Sequence, residues 1–134
     1  MCAKTGLALM AIQRGDVTTA AEQYTALEPA HGTLLALDMS TIDRRLGLLS
    51  HTMGNLDQAV AHFEEALAFC RKAGYRPELA WTCCDYADAL RERNGDEDRH
   101  KAMSLLDESL AISSELGMRP LMERVLSRRE ILKA

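Results

Sequence analysis

The side chains able to do chemistry are few and scattered. Cysteines stand at Cys2, Cys70, Cys83 and Cys84, and histidines at His31, His51, His62 and His100. Thiolates and imidazoles are the usual ligands of a structural zinc, but they reach it in short, regular spacings. Neither a C-x-x-C pair nor a regular histidine spacing occurs. Cys83 and Cys84 are neighbours, so on a helix their side chains diverge by about 100° and serve one tetrahedral site poorly. If the chain folds back around Gly74 to Pro77, Cys70 comes level with them. A disulfide or metal is then the alternative to buried thiols acting as small apolar side chains, and the second reading is preferred. Guanidinium groups offer a different chemistry, a planar fork that grips carboxylates through parallel hydrogen bonds. Arg44-Arg45 and Arg128-Arg129 are such pairs, with Asp85-Tyr86 between them along the chain. Arginines on surface helices also pair with their neighbours, here Asp43, Asp85 or Glu130. Catalysis has no foundation: there is no Gly-rich phosphate loop, no nucleophile in a strained-turn signature and no H-E-x-x-H. We therefore expect no enzyme, no cofactor and no metal.

The elements that must position these residues are helices. Apolar residues make up 47% of the 134 positions but aromatics only 4%, and the apolar mass is Leu, Ala and Met, which lose little rotamer freedom in a helix. Glycines punctuate the chain. Gly15, Gly54 and Gly95 are each followed by Asp or Asn, the composition of a left-handed helix stop followed by an N-cap. Gly74 and Gly117 open GYRP and GMRP, in which Pro77 and Pro120 suit the first turn of the next helix. Between these marks apolar residues recur at three- and four-residue steps, as in Leu56, Ala59, Val60, Phe63, Ala66, Leu67 and Cys70. The spacing predicts seven helices, over roughly 3–14, 17–28, 33–53, 56–73, 77–94, 99–116 and 120–132, and no strand.

A recurrence of about 40 residues with two helices in each unit is the mark of a helical repeat array. Leu46-Gly47, Ala59, Phe63 and Ala66 resemble the tetratricopeptide repeat, whose signature is Leu-Gly in its first helix and Ala-x-x-x-Phe in its second. Leu7-Ala8, Ala20 and Tyr24 keep part of it in a first repeat, and Ala87, Ala102 and Leu106 in a third. Asp43 and Ser50 stand where the signature has Trp and Tyr, and the units exceed the ~34 residues of the standard repeat. The long units, and the phrase LLDESLAISSELGMRPLMERVL, resemble the repeat tails of bacterial LuxR-type ATPase regulators and multidomain nucleotide cyclases. The resemblance implies an all-α, right-handed stack of antiparallel helix hairpins in one domain, with repeats over about 1–32, 33–76 and 77–119 and a terminal helix over 120–132.

In that family the first helix of each repeat lines a concave groove. Aligned on Gly54, Gly95 and the Arg-Pro turns, the groove residues are Arg44, Arg45, His51, Asp85, Tyr86, Arg93, Arg128 and Arg129, with Tyr86 at the centre. Such a surface suits an acidic peptide. The function implied is a non-enzymatic protein-protein interaction module, a scaffold or regulatory segment of a bacterial signalling protein; the alternative is a sensor of a small metabolite or signal peptide. A formal charge of −4 attracts neither nucleic acid nor an anionic membrane. No apolar run approaches the ~18 residues of a spanning helix, so neither is an expected partner. The apolar stretch Gly6 to Ile12 reads as part of a helix rather than a signal peptide, and reduced thiols fit the cytoplasm. Both ends look unfinished, with Leu7, Leu9, Met10 and Ile12 at one and Leu121, Met122, Val125, Leu126, Ile131 and Leu132 at the other. A homodimer is the expected closure, with Leu9 or Leu132 at its contact.

Overall fold

The computed structural model describes residues 12, 15–30 and 41–133. Among them are six helices and no strand: α1 Val17–Leu27, followed by a short 3₁₀ turn over Glu28–Ala30, α2 Ile42–Thr52, α3 Leu56–Ala73, α4 Arg76–Arg93, α5 Asp98–Leu116 and α6 Arg119–Lys133. The fold is an all-α helical repeat, as the apolar periodicity predicts. The helix expected over 3–14 lies outside the described residues except for Ile12, which is helical. That expected over 33–53 does not run unbroken. Thr41 is extended, with φ −79° and ψ 145°, and its hydroxyl accepts from Arg44 N at 3.0 Å, so α2 starts at Ile42. A Thr side chain that satisfies an orphan N–H competes with helix continuation, which periodicity alone does not register.

Two compact units divide the chain, Met1–Ala66 and Leu67–Ala134. In the first, Asp16 caps α1 by accepting from Thr19 N at 3.0 Å. Helix α1 packs on α2, where Ala20, Leu27, Ile42, Leu46 and Leu49 form a core flanked by Ile12, Tyr24 and Met53. Helix α2 returns into α3 at Gly54, whose φ of +82° is the left-handed stop, and Asn55 N reaches back to Ser50 O at 2.9 Å. The hairpin closes tightly. A Cβ on Gly47 would stand 2.7 Å from the Phe63 ring, so Phe63 fills the space above Gly47 within its own hairpin. A polar chain crosses from α1 to α3: Gln58 Nε2 donates to Tyr24 Oη at 2.6 Å, and Tyr24 Oη lies 2.7 Å from His62 Nε2. His62 Nδ1 then faces the buried Asp43 carboxylate at 3.8 Å.

In the second unit the repeated motif forms the same turn twice. Gly74 and Gly117 have φ of +70° and +68°. Tyr75 N reaches Cys70 O at 2.9 Å, and Met118 N reaches Ser113 O at 2.8 Å. Each is the five-residue backbone closure that follows a left-handed glycine, with Pro77 and Pro120 in the first turn of the helix that starts next. Helix α4 contacts both α5 and α6 and is buried along most of its length, which explains its weak one-sided pattern. Ser109 Oγ donates to Ala80 O at 2.7 Å and Lys101 lies over the Tyr86 ring at 5.1 Å. Residue numbers rise on α4 as they fall on α5, so the two helices are antiparallel.

The turn between α4 and α5 differs from expectation. Its left-handed residue is Asn94, with φ 54°, not Gly95. Asn tolerates this conformation better than other side-chain-bearing residues. Gly95 is needed for closeness instead: its N–H donates to Asp98 Oδ2 at 3.0 Å, and a Cβ there would meet that oxygen at 2.9 Å. Arg93 grips the same carboxylate with Nε and Nη2, both at 2.7 Å.

Candidate functional site

Three rungs join α4 to α6. The Arg124 guanidinium lies 5.5 Å from the centre of the Trp81 ring, within the range of a cation-π contact. One turn or two further on, Arg128 Nε donates to Asp88 Oδ1 at 2.8 Å. Then Arg91 and Ile131 line a cavity of about 200 Å³ with Asn94, Arg99 and Leu132. Numbers rise together on the two helices, so α4 and α6 run parallel, as first helices of successive repeats must. On α4 the rung residues fall at 81, 88 and 91 and on α6 at 124, 128 and 131, one helical stripe each.

Burial sets the electrostatics of this face. Asp88 is raised from the ordinary carboxylate range, by burial first, against which Arg128 pulls it down and Asp85 pushes it further up. Beneath lie the thiols. Burial pushes Cys83 up strongly and Cys84 to about 12, with Asp85 and Asp88 adding to the rise and Arg124 and Arg128 opposing it. Thiols held so far from ionisation are poor nucleophiles. Cys70, Cys83 and Cys84 form no disulfide, and no group of three or more potential metal ligands is assembled among the described residues.

None of the eight residues singled out from sequence lies fully open on a surface. Tyr86, expected at the centre of the groove, is fully buried, and Arg45 and Asp85 are nearly so. Arg93 closes the α4–α5 turn on Asp98. Arg129 points at α5, with Nε 3.1 Å from Asp107 Oδ1. Arg44, His51 and Arg128 are half-buried. For Tyr86 the cause is a register slip of one residue. Gly54 was aligned with Gly95, whereas the left-handed residue equivalent to Gly54 is Asn94. With that correction Leu46 matches Tyr86, both buried; Gly47 matches Ala87; Arg44 matches Cys84; and His51 matches Arg91. Trp81, Asp88, Arg91 and Arg124 were missed. The signal was available: steps of three, four and seven residues from Arg128 and from the lone tryptophan reach all of them.

Repeats of about 40 residues, a glycine or alanine at the hairpin crossing and identical left-handed closures are now in place. A family model for the tetratricopeptide repeat matches residues 38–115, more than half of the chain. The chain belongs to the tetratricopeptide repeat family. Comparison with curated proteins and with solved structures gave no match. Tetratricopeptide repeats generally mediate protein-protein interaction and are typically non-enzymatic. No helix among the described residues of this tetratricopeptide chain is long and apolar enough to cross a membrane.

Proposed function

We propose that this tetratricopeptide chain is a non-enzymatic interaction module that binds an acidic peptide. Its setting would be the cytoplasm, as a scaffold or regulatory segment of a bacterial-type signalling protein. The observation that carries the reading is the α4–α6 face. Arg124 is exposed, stacked on Trp81, and Arg91 is exposed at the other end of the same face. Arg128 is partly satisfied by Asp88 and keeps further N–H donors. In the N-terminal unit, Arg44 and His51 are half-buried on α2, and His51 is the residue that matches Arg91. The organisation we propose is three repeats, over 1–32, 33–76 and 77–119, with the terminal helix over 120–132.

Trp81 is the only tryptophan, so its emission reports on this face directly. A Glu-rich peptide titrated into the protein is expected to change Trp81 fluorescence saturably and more weakly as salt rises. Arg124→Ala or Arg128→Ala should weaken binding by about tenfold, the cost of one charge-assisted hydrogen bond. Equal binding of an uncharged peptide counts against the proposal.

We also infer a homodimer, supported by Leu116 and Leu126, which are 44% and 46% exposed. Leu132 is not available for it, being 5% exposed within its own chain, and Leu9 lies outside the described residues. Leu126→Glu should convert a dimer to a species of 14.9 kDa in size exclusion with light scattering; a wild-type chain already at that mass rejects the inference.

A further inference from the structure

The cavity at the far end of the α4–α6 face has a composition that peptide recognition does not account for. Its floor is aliphatic, from Ile131 and Leu132, and its rim is cationic, from Arg91 and Arg99. Ile131 is 45% exposed, so part of its side chain is open to whatever occupies the cavity. Arg99 is held in place: its Nη2 donates to Leu132 O. That bond caps the end of α6, offsets the partial negative charge of its carbonyls, and leaves further guanidinium N–H groups for another acceptor. Arg93 and Arg128 are each paired with an aspartate. Arg91, by contrast, is exposed, and its pull on Asp88 is weaker than that of Arg128. Asn94, fixed in the left-handed conformation at the end of α4, adds an amide to the same rim.

We propose that this cavity binds a small monocarboxylate with an aliphatic or aromatic body. The carboxylate lies between Arg91 and Arg99, and the apolar body rests on Ile131 and Leu132. Size sets the class. A volume of about 200 Å³ is too small for a drug-sized ligand, but an engineered cavity of about 150 Å³ holds benzene. Molecules on the scale of hexanoate or benzoate therefore fit, and a folded partner does not. Both halves of the ligand are required by the lining. A bare anion leaves Ile131 in water, and an uncharged hydrocarbon leaves the Arg91 fork without an acceptor.

The test uses the full chain, labelled with ¹⁵N and titrated separately with hexanoate, acetate and hexanol. Hexanoate is expected to shift the amides of Arg91, Asn94, Arg99, Ile131 and Leu132 saturably, and the other two probes to bind roughly tenfold more weakly or worse. Arg91→Gln and Ile131→Ser, both at exposed positions, should each weaken hexanoate binding while leaving the melting temperature within a few degrees. The proposal is overturned if hexanoate leaves these amides unmoved, if acetate or hexanol binds as well as hexanoate, or if both variants bind like wild type. It also stands apart from peptide recognition: hexanoate failing while a Glu-rich peptide still changes Trp81 emission rejects the cavity ligand alone.

Discussion

The two units solve one packing problem in two ways. In the N-terminal unit the hairpin crossing pairs the smallest residue with a ring, Gly47 beneath Phe63, at a distance no Cβ could enter. At the equivalent crossing of the C-terminal unit the residues are Ala87 and Leu106, both buried. A methyl gained on one helix is matched by a smaller side chain on the other, so density is kept while the residues change. The turns differ in the same spirit. Gly54 closes α2 with backbone bonds alone, whereas Asn94 and Gly95 close α4 with help from the Arg93–Asp98 pair. On the first helices, the N-terminal unit carries Asp43 and Arg44 where the C-terminal unit carries Cys83 and Cys84. The repeat thus constrains volume and backbone conformation at each position, and leaves the chemistry free to differ.

Where the two units agree, disruption should be largest. Both keep an alanine at the second-helix crossing, Ala59 and Ala102, each fully buried. Ala59→Leu should destabilise by about 1–3 kcal/mol through overpacking, while Ala61→Leu on the exposed side of α3 should stay within about 0.5 kcal/mol. Equal melting temperatures for the two variants would contradict the packing register.

The compensated pair comes next. Gly47→Ala should cost about 1–2 kcal/mol, the overpacking penalty less what alanine returns in helix propensity. Adding Phe63→Leu copies the C-terminal solution into the N-terminal unit. The double variant should therefore be more stable than the sum of the two single changes predicts. Strict additivity in urea denaturation would show that the ring and the glycine are not coupled.

A smaller effect separates the two turns by pH. The Arg93 hydrogen bond holds the Asp98 carboxyl down at about 2, burial opposing it and the Gly95 N–H assisting. Because the folded value lies below the ordinary 3.8, the stability it contributes is complete above about pH 4 and fades as pH falls toward 2. Asp98→Asn should lose about 1–2 kcal/mol at pH 7 and show a shallower acid limb than wild type. An unchanged acid limb would show that the pair does not hold the turn.

The thiols should give the smallest response. Burial keeps Cys83 and Cys84 protonated at any ordinary pH, so native protein at pH 8 should take up no iodoacetamide at either residue, by intact mass. Reductant should leave the melting temperature unchanged. Rapid labelling in the native state, or about one zinc per chain by elemental analysis, would contradict the buried-thiol account.

Periodicity and punctuation in the sequence determined most of the fold. Steps of three and four placed α3 at its observed boundaries and α4, α5 and α6 within a residue, because each helix must carry its apolar stripe at 3.6-residue spacing whatever it packs against. GYRP and GMRP specified two identical turns, because a left-handed glycine followed by proline has few other uses. Tertiary structure decided what lies on the surface. Asn94 rather than Gly95 takes the left-handed conformation at a turn closed by an ion pair between residues on either side of it, and counting from the wrong one shifts the assigned face of α4 by one residue, about 100° of helix. Tyr86 is in the core and Arg91 on the surface. The ion-pair partners of Arg128 and Arg129 lie 40 and 22 residues away on different helices, so no local pattern could assign them. The cavity, likewise, exists only where the ends of α4 and α6 and the start of α5 converge.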